Sequence, residues 1–158
     1  DFEKLINLQL KEKHPKSWMR AFFNMGLINY IEGSRRMLPC QAGEMNFFVE
    51  PYGDIYPCNG LEKKYWKKSI GNIRETPNFK EIWEGKQAEQ VRQMVRRCPK
   101  NCWMVGTASP VMHKYIKYPL KWALKNKLRS LQGKTACLDK CWYNVGQDPS
   151  QGDLRDVF

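Results

Sequence analysis

The chain lacks a long hydrophobic run. Nowhere do its 158 residues approach the roughly 20 consecutive apolar positions that span a bilayer, which argues against an integral helical membrane protein. The opening residues, DFEKLINLQLKEKH, lack the apolar stretch and cleavage pattern of a secretory leader. The first residue is Asp1 rather than Met, so the sequence is read as a piece of something longer. Histidine is scarce: His14 and His113 stand apart, and neither sits in a metal-binding spacing. There is no G-x-S-x-G elbow, no Walker loop, no dinucleotide glycine fingerprint and no internal repeat. Acid is also in short supply. Sixteen Asp and Glu stand against 27 Lys and Arg, giving +11 with the histidines neutral. That balance suits an acidic partner, whether nucleic acid, anionic lipid or an acidic protein face, and it equally serves simple solubility.

The remaining composition is that of a folding chain. Apolar residues make up 42% and aromatics 13%, enough for a real core at this length. Residues 1–32 read as helix, interrupted at His14-Pro15. Leu5, Leu8 and Leu10 form a first apolar set; Trp18, Phe22, Met25 and Ile28 or Asn29 form a second at helical spacing. Ser17 reads as an N-cap and Gly33 as a stop. Residues 46–57 read as a β-hairpin, with Pro51-Tyr52-Gly53-Asp54 as the turn. An irregular stretch, 59–77, is anchored by Trp66 and by Ile70-Gly71-Asn72-Ile73. A helix with Phe79, Ile82 and Trp83 inward then ends at Gly85. A second helix, 87–97, turns Ala88, Val91 and Met94 inward and Arg92, Arg96 and Arg97 outward. The expected fold is α+β: a small antiparallel β-hairpin with surrounding helices, mostly helical.

Residues 106–136 contain no acidic residue and seven Lys or Arg. Lys114, Lys117, Lys121 and Lys125 recur as one helical face, with Pro119 marking a helix start or a break. The expectation is a docked helical extension that partly buries Leu120, Trp122, Leu124 and Leu128. Attachment to an anionic membrane is the rival, less favoured reading. The tail from Gln147 onward is turn-rich and expected to be poorly ordered.

Six cysteines fall at Cys40, Cys58, Cys98, Cys102, Cys137 and Cys141. Two of the three pairs are C-x3-C, a spacing that lets two sulfurs share one helical face. Metal or cluster binding is the leading interpretation; three disulfides and unliganded thiols stay open beside it. Four thiolates can close a tetrahedral zinc site or hold a cubane cluster, and spacing does not separate the two. A hairpin between Cys40 and Cys58 would bring those two sulfurs to one end of the ribbon. The aromatics Phe47, Phe48, Tyr56, Trp83 and Trp103 are read first as packing and second as a shield for such a centre.

Four segments in order carry a resemblance: Cys40-QAGEMNFFVEPYGDIYP-Cys58-NG, then Ile70-GNIRE, then Phe79-KEIWEG, then Cys98-PKN-Cys102-W. Together they resemble the SPASM domain, or its shorter one-cluster twitch form, found as the auxiliary-cluster region of radical S-adenosylmethionine (radical SAM) enzymes. The resemblance implies one 4Fe–4S cluster on Cys40, Cys58, Cys98 and Cys102, with zinc as the alternative metal. It departs from the twitch pattern in ending on C-x3-C rather than C-x2-C, and it leaves Cys137 and Cys141 unassigned. It implies a division into 1–39, the helical end of a barrel; 40–105, the cluster domain; 106–136, the basic extension; and 137–158, a tail. The C-x3-C-x2-C loop of radical SAM catalysis is absent, so no residue here is assigned a catalytic role, and S-adenosylmethionine would bind only in an accompanying barrel. Implied partners are that barrel and a peptide or small-molecule substrate, in a cytoplasmic setting. The alternative function is a zinc-stabilised basic module for a protein partner or a nucleic acid; nucleic acid is disfavoured because no standard binding motif is present.

Overall fold

The computed structural model describes residues 1–59 and 69–138. Trp66, Cys141 and the tail from Gln147 lie outside the described residues. In chain order the elements are α1 (Phe2–Lys11), α2 (Pro15–Ile31), β1 (Phe48–Val49), β2 (Asp54–Tyr56), β3 (Gly71–Asn72), α3 (Phe79–Glu84), α4 (Lys86–Arg96), α5 (Val105–Lys114) and α6 (Lys117–Leu131). The fold is α+β, mostly helical with one small antiparallel sheet. It divides into two compact units: Asp1–Pro39 with the described residues from Asn101 onward, and the described residues within Cys40–Lys100.

The first unit is helical. The side chain of Asp1 caps α1, accepting from the Lys4 amide at 3.5 Å. Of the apolar residues of α1, Ile6 and Leu10 are buried, whereas Leu5 and Leu8 are 41% and 61% exposed; the expected Leu5–Leu8–Leu10 face is corrected to Ile6–Leu10. Pro15 occupies the first position of α2, where its missing N–H would be unsatisfied in any case. Ser17 is therefore inside the first turn rather than at the cap, and its hydroxyl donates to Glu12 Oε2 at 2.6 Å. At the other end, the Ser34 amide donates to Asn29 O and the Gly33 amide to Tyr30 O, a Schellman closure at the expected stop.

A lysine ties this corner together. Lys127 of α6 donates from Nζ to the carbonyls of Leu10, Lys11 and Glu12 at 2.8, 3.1 and 2.8 Å. These are orphan acceptors at the negative end of the α1 dipole, and one ammonium supplies three donors. The same ammonium lies 5.2 Å from the centre of the Trp18 ring, and the Trp18 indole donates to Glu12 O at 2.8 Å.

The core of the unit is built on Phe22, Trp103 and Trp122. Phe22 meets both indoles edge-on, at centroid distances of 6.3 and 5.6 Å. Trp103 donates from Nε1 to Phe23 O at 2.8 Å. Its ring lies directly on Gly26, where an added Cβ would sit 2.1 Å from indole atoms. The glycine thus gives the indole its place on α2.

The basic stretch forms two helices, not one face. Lys114 ends α5, while Lys117, Lys121 and Lys125 lie on α6. Pro119 is the third residue of α6, so it marks a helix start. Trp122 is buried as expected, together with Pro119, Ala123 and Asn126. The leucines are not: Leu120, Leu124 and Leu128 are 44%, 47% and 62% exposed. Aromatic size and the small Ala123 decide which side of α6 meets the core, and the leucines fall on the opposite side. Beyond α6 the chain is fastened back. The Ala136 amide donates to Asn7 Oδ1 at 2.8 Å and the Cys137 amide to the buried Asn126 Oδ1 at 2.6 Å.

The second unit holds the sheet, in the order β1-β2-β3 and antiparallel throughout. Phe48 pairs with Tyr56 and Val49 with Ile55. The turn places Gly53 at φ 94°, a left-handed conformation that favours glycine. A third strand, not anticipated, pairs Gly71 with Ile55 and Asn72 with Asp54. Asn72 explains its own place: its amide donates to Tyr52 O at 3.2 Å and to Asp54 Oδ1 at 3.0 Å, while its Oδ1 accepts from the Arg74 amide. Ala42, Ile55, Ile70, Ile82, Ala88, Val91 and Val95 form the core of this unit. Met94, expected inward, is 39% exposed, and Val95 takes the buried position.

Two substitutions test this packing. Gly26→Ala should lower stability by about 1–3 kcal/mol through the clash with Trp103, and combining it with Trp103→Phe should cost less than the sum of the two single changes in thermal melts. Lys127→Met should cost about 1–2 kcal/mol by stripping the α1 carbonyls of a charged donor, read as a shift in the chemical-denaturation midpoint.

Candidate metal centre

The cysteines of interest take their positions from the second unit's core. Cys40 opens a compact loop in which the Glu44 and Met45 amides donate to Gln41 O and the Gly43 amide to Asn46 O. Ala42 and Asn46 form an isolated bridge. Asn46 carries the loop towards the other strand end, donating from Nδ2 to Pro57 O at 3.4 Å, one residue before Cys58. Cys40 and Cys58 both pack against the core that contains Ile55 and Val91. Cys40 and Cys58 thus flank the hairpin, and each packs against the same apolar cluster.

Cys98 follows α4. Its amide donates to Val95 O at 3.0 Å, and Val95 belongs to that same cluster. Cys102 lies in the helical unit, between two anchors. Asn101 donates from Nδ2 to Tyr30 O at 3.2 Å and to Ser34 O at 3.0 Å, and Trp103 is buried against α2. Cys137 is in the helical unit as well, held through its amide by Asn126. All five described cysteines are half-buried thiols. Among the described residues, no group of three or more His, Cys, Asp or Glu side chains forms a ready metal-binding cluster.

The loop after Cys40 is fastened to α4 by two arginines. Arg92, expected to face outward, is turned in. It donates from Nε to Gly43 O at 2.8 Å and from Nη2 to Trp83 O, and its guanidinium lies 4.8 Å from the Trp83 ring centre. Its position on the helix is one turn from the exposed Arg96, so periodicity gave no means of telling the two apart. What separates them is the bare carbonyl of Gly43, a tertiary acceptor with no sequence signature. Arg96 bridges Glu44 and Glu89, both at 3.2 Å. The Glu44 contact first, and then Glu89, raise its pKa above the ordinary arginine value.

The aromatics divide as well. Trp103 is core. Phe47, Phe79 and Trp83 form a cluster with centroid distances of 5.1 to 5.5 Å, in which Phe47 and Phe79 stay 46% and 38% exposed. Phe48 is also exposed, and Tyr56 packs on the second unit's core.

The donor set fits an iron–sulfur group in its chemistry. All four expected ligands are thiols, the soft donors that such clusters take, and two of them, Cys40 and Cys58, border one apolar core. Asn46 Oδ1, in the loop between Cys40 and Cys58, is buried without a hydrogen-bond partner among the described residues, so this loop retains unused polar capacity. No helix among the described residues is long and apolar enough to cross a membrane. No curated protein and no solved structure matches the chain. Residues 40–104, which open on Cys40 and run just past Cys102, match the family model of SPASM, the iron–sulfur cluster-binding domain.

Proposed function

We propose that Cys40, Cys58, Cys98 and Cys102 ligate one 4Fe–4S cluster, and that the chain supplies the auxiliary-cluster region of a radical SAM enzyme acting on a peptide or small molecule. The observation that carries this reading is the SPASM match over residues 40–104, which takes in those four cysteines and leaves out Cys137 and Cys141. When bound, such a cluster supplies one-electron transfer or an iron that substrate can approach. The chain's own residues prepare for it. Thiolates from the two ends of the hairpin and from the end of α4 provide sulfur donors. Ile55, Val91 and Val95 keep water from the inner side of Cys40 and Cys58. Arg92 and Arg96 hold the Cys40 loop against α4, which fixes the direction of the ligand-bearing backbone. The C-x3-C-x2-C triplet that binds S-adenosylmethionine is absent from this sequence, so radical generation falls to an accompanying barrel.

Anaerobic reconstitution with iron and sulfide tests the proposal. The chain should take up four irons with the visible absorption and reduced-state paramagnetic resonance of a cubane cluster. Replacing Cys40, Cys58, Cys98 or Cys102 with Ser should each lower iron retention by about tenfold or more and lower stability, because ligation energy is folding energy. Cys137→Ser should retain the iron. Stoichiometric zinc in place of iron, with iron refused on reconstitution, would overturn the proposal in favour of a zinc-stabilised basic module.

A further inference from the structure

We propose that the guanidinium of Arg92 is a fixed cation that raises the reduction potential of the cluster held by Cys40, Cys58, Cys98 and Cys102. The inference rests on the cluster reading above. The second unit carries the first three of these cysteines, and Arg92 is placed against the backbone that bears them. It donates from Nε to Gly43 O at 2.8 Å and from Nη2 to Trp83 O. Gly43 is three residues beyond Cys40. It also packs on Pro57, the residue before Cys58: a Cβ built on Gly43 would stand 3.1 Å from Pro57 Cβ and 3.7 Å from Arg92 Cγ. Cys98 follows the end of the helix that carries Arg92, with its amide on Val95 O at 3.0 Å. One side chain therefore ties the loop after Cys40, shares Gly43 with the residue preceding Cys58, and stands on the helix leading to Cys98.

The charge is held firmly and matched weakly. The Arg92 side chain is 13% exposed, so solvent ions screen it little. Its hydrogen bonds go to carbonyls, which orient a cation without cancelling it, and the Trp83 ring 4.8 Å away does the same. Among the described residues its carboxylate neighbour is Glu89, with Nη1 to Oε2 at 3.9 Å. Glu89 is 47% exposed and lies closer to Arg96, at 3.2 Å. Arg96 is the contrasting case on the same helix: 53% exposed, it stands between Glu44 and Glu89, so its charge is both matched and screened.

Electrostatics gives that charge its consequence. Four thiolates make a bound cubane cluster negative, and taking up one electron adds a further negative charge. A fixed cation stabilises the more negative state more strongly, and at the low effective dielectric of a protein interior the difference persists over several ångströms. The potential of such a cluster follows local charge, hydrogen bonding and exposure, and Arg92 supplies charge. It is neither a ligand nor a reacting group. The loop tie alone needs only a donor; the one-electron equilibrium responds to the cation.

The test is an anaerobic redox titration of the reconstituted full chain with dithionite, followed by the paramagnetic resonance of the reduced state. Arg92→Gln should lower the reduction equilibrium constant by about tenfold, a fall of about 59 mV for one electron. Arg92→Lys keeps the charge and gives up the planar fork, and it should hold the potential near that of the unaltered chain. Glu89→Gln removes the carboxylate facing Arg92 from a half-exposed position and should raise the potential; it carries the decision should Arg92→Gln fail to hold iron. Equal potentials in the unaltered chain and a loaded Arg92→Gln variant overturn the proposal. So does an equal fall in both Arg92 variants, which would leave Arg92 as a structural tie, and so does an unchanged or lowered potential in Glu89→Gln. A chain that takes up no cubane cluster overturns the cluster reading and this inference together, whereas a loaded chain whose potential ignores these changes overturns this inference alone.

Discussion

The indole of Trp103 rests where Gly26 has no side chain and donates to the carbonyl of Phe23. That contact fixes the chain immediately after Cys102. With Asn101 capping the carbonyls of Tyr30 and Ser34, the residues on either side of Cys102 are committed to the helical unit. A thiol on a free loop would have to be ordered at the moment of ligation, and the backbone entropy of each residue is on the order of 1–2 kcal/mol. Here the neighbouring residues have already met that cost through packing. The energy of a buried indole is thereby spent in part on positioning a candidate ligand.

Arg92 does the corresponding work in the second unit. Its guanidinium meets a loop carbonyl, a helix carbonyl and an aromatic face. A cation turned inward is costly unless its donors are used, and most of its fork is used here. Arg96 adds an exposed tie between Glu44 and Glu89, which salt and solvent weaken. Loop geometry next to Cys40 therefore depends more on the half-buried arginine than on the exposed one.

What could be read from the sequence followed from local rules. The hairpin, the stop at Gly33 and the break at Pro15 each depend on residues within a few positions of one another. The ordered motifs around Cys40, Cys58, Cys98 and Cys102 were legible for the same reason. Tertiary choices were not. Gly71-Asn72 is too short to show a period, and it became a strand because Ile55 and Asp54 had an open edge. Arg92 turned inward to an acceptor forty-nine residues away in sequence. Val95 rather than Met94 entered the core, since α4 rolled by the few tens of degrees that period alone does not fix.

The leucines of α6 show where the energetic argument from sequence fell short. Leucine burial is worth ~1.5–3 kcal/mol per side chain, which seemed to require that Leu120, Leu124 and Leu128 face the core. A helix can present one side to its neighbours, however, and Trp122, Ala123 and Asn126 compete for that side. Trp122 has the larger apolar area and meets Phe22 edge-on. Ala123 lets the backbone approach closely, and Asn126 is bound on both ends, to Trp122 O and to the Cys137 amide. Lys127 adds a restraint that rotation would break, because its ammonium reaches the α1 carbonyls from this helix orientation. Turning the leucines inward would expose an indole, orphan a buried amide and uncap a helix. The leucine stripe is left outside because the opposite face is held by more specific interactions.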